Sequence, residues 1–121
     1  TNKKLNKITN LLEKNYDKRL IWRTKVNNEL KKRYKKIFRI INKLIFLEAP
    51  NFDYIYKWRL LQEKKLAKNK SGKKIMSKSQ IKNFIMHYER ITRQMLIDLK
   101  SNSNVVVKID KRHKLSKIKF N

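Results

Sequence analysis

The sequence lacks cysteine, and it has one glycine, one proline and only nine acidic residues against 34 lysines and arginines. Without cysteine the chain forms neither a disulfide framework nor a thiolate metal site, which fits a reducing cytosol. No stretch reaches the roughly 18 apolar residues of a membrane span, and the N-terminal TNKKLNKITN lacks the apolar core of a secretory signal. We therefore expect a cytoplasmic protein with no membrane partner.

The excess of basic residues gives a formal net charge of +25 and an isoelectric point near 10.5. Such a charge would suit nucleic acid, an anionic membrane or an acidic substrate. However, the excess consists of 26 lysines beside only 8 arginines, and it comes with 13 asparagines and 14 isoleucines, which A- and T-rich codons also encode. Because Arg is not enriched and the lysines run along the whole chain, nucleic-acid binding is a second choice here.

The length and the apolar pattern predict a small α/β protein. At 121 residues the chain is expected to form a single partial domain. Helical spacing predicts a short helix over 3–15, a second one that carries residues 26–41, and two more over 52–69 and 77–99. The positions expected to face the core in the last three are Val26, Leu30, Tyr34, Ile37, Ile41, Phe52, Ile55, Tyr56, Leu66, Ile81, Phe84, Ile85, Tyr88, Met95 and Leu99.

Two short parallel-type strands are expected at about 44–48 and 104–109. The unbroken apolar run at 44–47 is typical of a strand buried on both faces, and Pro50 ends it. The run VVVKI is β-branched. Because two strands do not make a stable parallel sheet, further strands are expected from more of the chain or from a partner. The linker at 68–74 and the basic tail from about 111 are expected to be loose.

The segment LEAPNFDYIYKWRLLQE at 47–63 is expected to form the functional edge of the molecule. Where a strand ends and leads into a helix, α/β proteins bind ligands beyond the carboxyl end of the strand. Arg59, Gln62 and Glu63 fall at i, i+3 and i+4, on one helical face. The spacing favours an intrahelical Arg59–Glu63 ion pair, and an anion clamp oriented by its own carboxylate stays open beside it.

A second group of polar residues lies on the helix predicted over 77–99. His87, Arg90 and Gln94 share one face, and Glu89 and Arg93 are four residues apart on the adjoining one. The guanidinium groups offer a planar fork for phosphate or carboxylate that lysine does not have. His87 by itself is interpreted as a surface or hydrogen-bonded residue rather than a catalyst.

Several signatures of enzymes are missing from the sequence. It contains no G-x-x-x-x-G-K-[ST], no G-x-G-x-x-G and no H-E-x-x-H. The nine carboxylates are spread along the chain, without a close pair suited to acid–base work or to a metal. We therefore expect no catalytic residue and no metal ligand set within the chain itself.

Three patterns together resemble the C-terminal part of the glycerate kinase-like P-loop kinases. They are WR-x-x-VN-x-x-L-x-x-x-Y at 22–34, LIFLEAP-x-F at 44–52 and WR-x-x-QE-x-x-L at 58–66. The run F-I-x-H-Y-E-R-I-T-R at 84–93 and VVVKID at 105–110 are similar to the end of the same family. Their order and spacing agree over roughly residues 10–112, which is most of the chain.

The resemblance implies an ATP-dependent phosphotransferase of the P-loop α/β fold, with ATP and Mg²⁺ as cofactors and a small hydroxylated acceptor such as D-glycerate. In that family the phosphate-binding loop and the Mg²⁺-holding acid lie upstream of the matched region, so the upstream half of the same kinase is the implied partner. The site residues that the resemblance implies are Arg59, Gln62 and Glu63 in a lid near the phosphates, Arg90, Arg93 and His87 beside it, and Asp110 on the adenine side.

Two other functions stay open on the residues alone. A basic nucleic-acid-binding helical module would concentrate its basic residues on one face and would lose affinity steeply with salt. A non-catalytic kinase remnant or partner subunit would expose apolar strand edges.

Overall fold

A computed structural model describes residues 2–69 and 75–121 of the chain. The structure divides into two compact units, Thr1–Leu44 and Ile45–Asn121, and the single partial domain expected from the sequence stays a prediction. Most of the linker predicted at 68–74 lies outside the described residues. Within those residues, none of the helices has the length and apolar character that crossing a bilayer requires.

The first unit consists of short helical segments. They are α1 (Asn2–Asn6), α2 (Leu11–Tyr16), α3 (Ile21–Glu29), a π-helical turn (Leu30–Tyr34) and α4 (Lys35–Arg39). The helix predicted over 3–15 is interrupted because Asn10 caps α2, and its side chain accepts a hydrogen bond from the Glu13 N–H at 3.1 Å.

Charged side chains occupy the interior of this unit. Among its described side chains, the buried ones are Glu13, Asp17 and Arg23, which we call the buried charge cluster. Arg23 Nε donates to Asp17 Oδ2 at 2.9 Å, while its two Nη atoms donate to the carbonyls of Leu5 and Asp17 at 2.8 and 2.7 Å. The Asp17 carboxylate also accepts from the backbone N–H groups of Trp22 and Arg23, so it caps the first turn of α3.

The apolar stripe of the first unit is exposed. Val26, Tyr34, Ile37 and Ile41 are exposed, and Leu30 is half-buried. The prediction that this stripe faces a core is therefore wrong. The fully buried positions among the described side chains of the unit belong to the buried charge cluster, and the apolar side chains are half-buried or exposed.

The second unit is an α/β arrangement with a three-stranded sheet. Its elements are β1 (Ile45–Glu48), α5 (Phe52–Asn69), α6 (Lys78–Asn102), β2 (Val105–Ile109) and β3 (Leu115–Phe120). β1 and β2 pair in parallel, which confirms the α/β class and the two parallel-type strands predicted at about 44–48 and 104–109. β3 pairs antiparallel with β2, and the strand order is β1-β2-β3. The prediction of a loose tail from about 111 is wrong, because this segment forms the third strand.

The apolar core of the second unit lies between α5 and α6. Phe52, Ile81 and Ile85 are buried together, and the side chains packed against them are Ile55, Tyr56, Leu60 and Met76. Leu66, Phe84, Tyr88 and Met95, by contrast, are exposed, contrary to the sequence prediction. Two helices packed on one another bury only the stripes that face each other, so apolar residues on the flanks of those stripes stay in contact with solvent.

The start of α6 follows its sequence signature. Ser77 accepts a hydrogen bond from the Gln80 N–H at 3.2 Å, and Gln80 Oε1 accepts one from the Ser77 N–H at 2.8 Å. This is the predicted capping box, which satisfies two backbone donors at the helix N-terminus. It confirms that the helix begins just after Ser77.

The buried charge cluster makes the first unit sensitive to a single substitution. Arg23→Ala would leave the carboxylates of Glu13 and Asp17 buried without their guanidinium partner, which costs about 3–5 kcal/mol. We expect amide hydrogen exchange in α2 and α3 to rise to the level of an unfolded chain. The control is Arg19→Ala, which removes an exposed arginine nearby and should change stability by about 0.5 kcal/mol or less. Native protection in Arg23→Ala would contradict the role of the cluster.

Acid should weaken the same cluster. Burial is the largest single influence on Asp17 and raises its pKa, but hydrogen bonds from the Trp22 N–H and from Arg23, with the Arg23 charge, bring the pKa below its usual value. A native pKa below the unfolded one stabilises the unit above about pH 4, and this stabilisation is lost as the pH falls through the native pKa. The protection factors of the α3 amides, which correct for the pH dependence of intrinsic amide exchange, should therefore fall only below about pH 4. A loss of protection that begins near pH 6 would contradict this assignment.

Candidate functional site at the carboxyl ends of the parallel strands

The candidate site lies where the two parallel strands end. β1 ends at Glu48 and leads through Ala49 and Pro50 into α5, while β2 ends at Ile109 and leads through a tight turn into β3. Open α/β sheets bind their ligands at this edge. The segment predicted at 47–63 therefore forms part of the edge, and the turn at 110–114 joins it there.

Glu48 is a buried carboxylate at the end of β1. Its Oε1 lies 2.7 Å from Lys100 Nζ on α6, and its Oε2 lies 3.8 Å from Lys108 Nζ on β2. Two ammonium groups thus neutralise one buried acid and tie α6 and β2 to the strand end. Sequence reasoning missed this group because Glu48 is adjacent to Lys100 and Lys108 only in the folded sheet.

Asp110 organises the turn between β2 and β3. Its Oδ1 accepts hydrogen bonds from the backbone N–H groups of Arg112 and Lys114 at 2.8 and 2.9 Å. The Lys114 N–H most strongly, helped by Arg112, holds the pKa of the Asp110 carboxyl below its usual value. The carboxylate therefore stabilises the turn between β2 and β3. The adenine-side role that the resemblance implies for Asp110 stays a prediction.

An aromatic stack joins this turn to α5. The rings of Trp58 and His113 have centroids 4.2 Å apart and planes 13° apart. His113 has a left-handed backbone with φ of 63°, which is uncommon outside glycine but which histidine adopts more often than most residues do. The stack therefore joins a left-handed turn residue to α5. The sequence carried little signal for it, because the two rings come from distant parts of the chain.

Arg59, Gln62 and Glu63 lie together, as their spacing predicts. Arg59 Nη1 donates to Gln62 Oε1 at 2.6 Å, and Nη2 pairs with Glu63 Oε1. Glu63 is only 4% exposed, and its Oε2 accepts from the Met76 N–H at 3.3 Å. The intrahelical ion pair is confirmed. The Arg59 side chain is 25% exposed, and its role as an anion clamp stays a prediction.

Arg93 repeats this arrangement on α6. Its Nε and Nη2 both lie 2.8 Å from Oε1 of Glu89, which is 8% exposed. The Arg93 guanidinium lies over the Phe52 ring of α5 at 5.1 Å, and the Arg59 guanidinium lies over the Phe84 ring of α6 at 5.8 Å. We call these the crossed arginine–ring contacts. Each contact joins α5 to α6, and a buried glutamate neutralises the charge of the arginine that makes it.

The remaining predicted site residues lie on α6 with partners close by. His87 is exposed, and its Nδ1 lies 3.1 Å from the Asn83 carbonyl oxygen of its own helix. Gln94 Nε2 donates to the Asp98 carboxylate at 2.8 Å. Arg90 is half-buried and is itself engaged in contacts. The roles of His87, Arg90 and Arg93 as anion contacts stay predictions.

The described residues contain no cluster of three or more potential metal ligands. Across 2–69 and 75–121, no three side chains of His, Asp or Glu stand close enough together to hold a metal ion. Glu48, Glu63 and Glu89 are each paired with lysine or arginine. The Mg²⁺ that the family resemblance implies stays a prediction.

A partial similarity connects the chain with a named kinase. Over 75 residues it is 39% identical to "Uncharacterized kinase mug58" of Schizosaccharomyces pombe, and the aligned range covers 61% of this chain and 24% of the relative. The chain thus spans about a quarter of the length of the curated relative it matches. No protein-family model and no solved structure matches it. The similarity indicates a relationship to a kinase, and the narrower resemblance to glycerate kinase-like P-loop kinases stays a prediction.

Trp58→Ala is expected to release the turn at 110–114 from α5. In the native protein the His113 ring protons lie over the indole face, so their NMR signals should be shifted upfield, and the variant should lose that shift. Amide exchange in the turn should also become faster. Trp22→Ala removes an exposed tryptophan of the first unit and serves as the matched control. Unchanged His113 shifts in Trp58→Ala would contradict the stack.

Proposed function

We propose that the chain is the C-terminal portion of a cytoplasmic, ATP-dependent small-molecule kinase resembling D-glycerate kinase. Such an enzyme transfers a phosphoryl group to a hydroxylated acceptor. The partial similarity to a named kinase supports the class of reaction. The proposed site rests on one observation. Gln62 and the buried Glu63 hold the Arg59 guanidinium on the helix that follows the end of β1.

The proposed role of Arg59 follows from the chemistry of phosphoryl transfer. Enzymes catalyse this reaction mainly by positioning and by stabilising the charge on the phosphoryl oxygens. Gln62 and the buried Glu63 hold the guanidinium in place, and in this proposal an anion approaches it from solvent, to which the side chain is 25% exposed. A guanidinium held in place before the anion arrives loses less conformational freedom on binding. In this role Arg59 neutralises charge that develops in the transition state.

Other parts of the reaction belong to the upstream half of the kinase in this proposal. That half would supply the phosphate-binding loop and the ligands of Mg²⁺, and ATP would bind across it. On the present chain, Arg93, Arg90 and His87 would contribute positive charge or hydrogen bonds beside Arg59. The turn at Asp110 would lie on the adenine side. D-glycerate is the acceptor that the family resemblance suggests.

Arg59→Ala tests the proposal in the intact enzyme that contains this chain and its upstream half. We expect kcat/KM for ATP-dependent phosphorylation of D-glycerate to fall about 30-fold, which corresponds to about 2 kcal/mol. Most of the loss should appear in kcat, since the charge contact is strongest in the transition state. A coupled assay of ADP release measures both parameters.

Two controls separate this role from a structural one, because Arg59→Ala also leaves Glu63 buried without its partner. Arg33→Ala removes a guanidinium with the same i, i+4 partner type, Glu29, at a position whose side chain is 81% exposed, and should leave turnover unchanged. Added guanidinium should restore part of the rate of Arg59→Ala if the missing group is a charge contact. Turnover of Arg59→Ala within about twofold of the native enzyme would contradict the proposal.

A further inference from the structure

The first unit contains a continuous helical segment that runs from Ile21 to Arg39. It consists of α3, the π-helical turn and α4, which follow one another without a break. Large apolar or aromatic side chains recur in it at every fourth position, namely Trp22, Val26, Leu30, Tyr34 and Phe38. Because an α-helix has about 3.6 residues per turn, such a row winds slowly round the helix. The π-helical turn is wider, so it takes up part of the excess and keeps the row closer to one side.

Most of this row is in contact with solvent. Its exposed members, together with two isoleucines that neighbour them on the helix, form what we call the exposed apolar row: Trp22, Val26, Tyr34, Ile37, Phe38 and Ile41. Trp22 is 62% exposed and Phe38 is 56% exposed. The rings of Tyr34 and Phe38 contact each other, with centroids 6.3 Å apart. Apolar side chains that stay exposed side by side indicate an interaction surface.

Basic side chains surround the exposed apolar row. Between Asp17 and Glu48 the sequence has eleven lysines and arginines against one acid, Glu29. All eleven except Arg23 are exposed. Glu29 pairs with Arg33 at 3.1 Å, so the single acid of this stretch is engaged with one of the cations. The segment therefore presents large apolar side chains within a strongly positive surface.

A lipid bilayer with anionic head groups matches both properties of this surface. Helices with an apolar row and basic flanks lie in the plane of the membrane interface, where the apolar side chains enter the boundary of the acyl chains. Lysine and arginine reach from beside them to the head groups. Tryptophan and tyrosine favour the same depth, because their rings are apolar and carry one polar atom. The cytoplasmic leaflet contains anionic lipids that attract clusters of basic residues.

Two other partners each match one property of the surface. Nucleic acid matches the charge, but its phosphates and bases offer no apolar contact surface for Val26, Ile37 and Ile41. A second copy of this chain matches the apolar row, but each copy carries a net charge of +25, so two copies would repel each other across the shared face. An anionic bilayer therefore fits the segment better than either of them.

We propose that the first unit binds the surface of anionic membranes through the exposed apolar row and the basic side chains beside it. Trp22, Tyr34 and Phe38 enter the interfacial region, and the lysines and arginines contact the head groups. The sequence-based expectation of no membrane partner rested on the lack of an apolar span. A helix that lies in the interface needs no such span, so the absence of a spanning helix from the described residues does not bear on it. The surface would bind lipid whether or not the chain belongs to a kinase.

Tryptophan fluorescence locates the contact, because the chain has two tryptophans, one in each unit. The probe is vesicles of phosphatidylcholine and phosphatidylserine in a ratio of about two to one, compared with vesicles of phosphatidylcholine alone. In Trp58→Phe, Trp22 is the remaining tryptophan, and with the anionic vesicles its emission should shift to shorter wavelength and become shielded from acrylamide. In Trp22→Phe, the remaining Trp58 lies in the second unit, and its emission should stay unchanged.

Co-sedimentation with the same vesicles measures the affinity. Lys32→Glu with Lys36→Glu reverses two exposed charges beside the row and should weaken binding at least about tenfold. Lys64→Glu with Lys68→Glu makes the same change at the same spacing on α5 and should weaken binding less than about threefold. Phe38→Ala should weaken it at least about fivefold. All five side chains are exposed, so circular dichroism should show that the variants still fold.

Several outcomes would overturn the proposal. One is that the chain does not bind the anionic vesicles, or that it binds them while the emission of Trp22 stays unchanged. Equal weakening by the two lysine pairs would show adsorption through net charge alone, and native affinity in Phe38→Ala would show that the apolar row takes no part. A DNA duplex that displaces the vesicles and shields Trp22 in the same way would assign the surface to nucleic acid. Self-association without lipid that Phe38→Ala disperses would assign it to a second copy.

Discussion

Within each of the two units, buried carboxylates paired with basic side chains stabilise the structure. Of its nine acidic residues, five are buried, namely Glu13, Asp17, Glu48, Glu63 and Glu89. A carboxylate removed from water without a partner costs several kcal/mol, so each of these positions requires a lysine or arginine close to it. Since most of the acids are inside, the lysines outside have few negative neighbours. The positively charged surface and the charged interior therefore both follow from the burial of most acidic residues.

The pairing also limits what the arginines of the second unit can do. Arg59 and Arg93 each neutralise a buried glutamate and each make one of the crossed arginine–ring contacts. A bound anion could not take Arg59 away from Glu63 without leaving that glutamate unpaired. It would have to contact Arg59 while the pairing with Glu63 stays in place. A rigid, partly neutralised arginine attracts anions less from a distance but orients them better at contact.

The features that the sequence predicted correctly are local, and those that it missed depend on tertiary structure. Arg59–Glu63 and Glu89–Arg93 follow from helical spacing, and the Ser77 capping box follows from a four-residue pattern. The stack of Trp58 on His113 joins distant segments, so spacing could not reveal it. β3 did carry a signal, because Ile118 and Phe120 alternate with lysines at the strand period, but the basic character of the tail obscured it.

The errors about the core have a single cause, which also bears on the site. An apolar stripe predicts a buried face only if other residues of its own unit pack on it, and Val26, Ile37 and Ile41 of the first unit, like Ile45 and Leu47 of the second, are exposed. At β1 this matters for function as well as for stability. Phe46 and Glu48 of β1 are buried, and α6 packs against this strand. Ile45 and Leu47 are exposed on the other side, and the next element in the chain is α5, which carries Arg59.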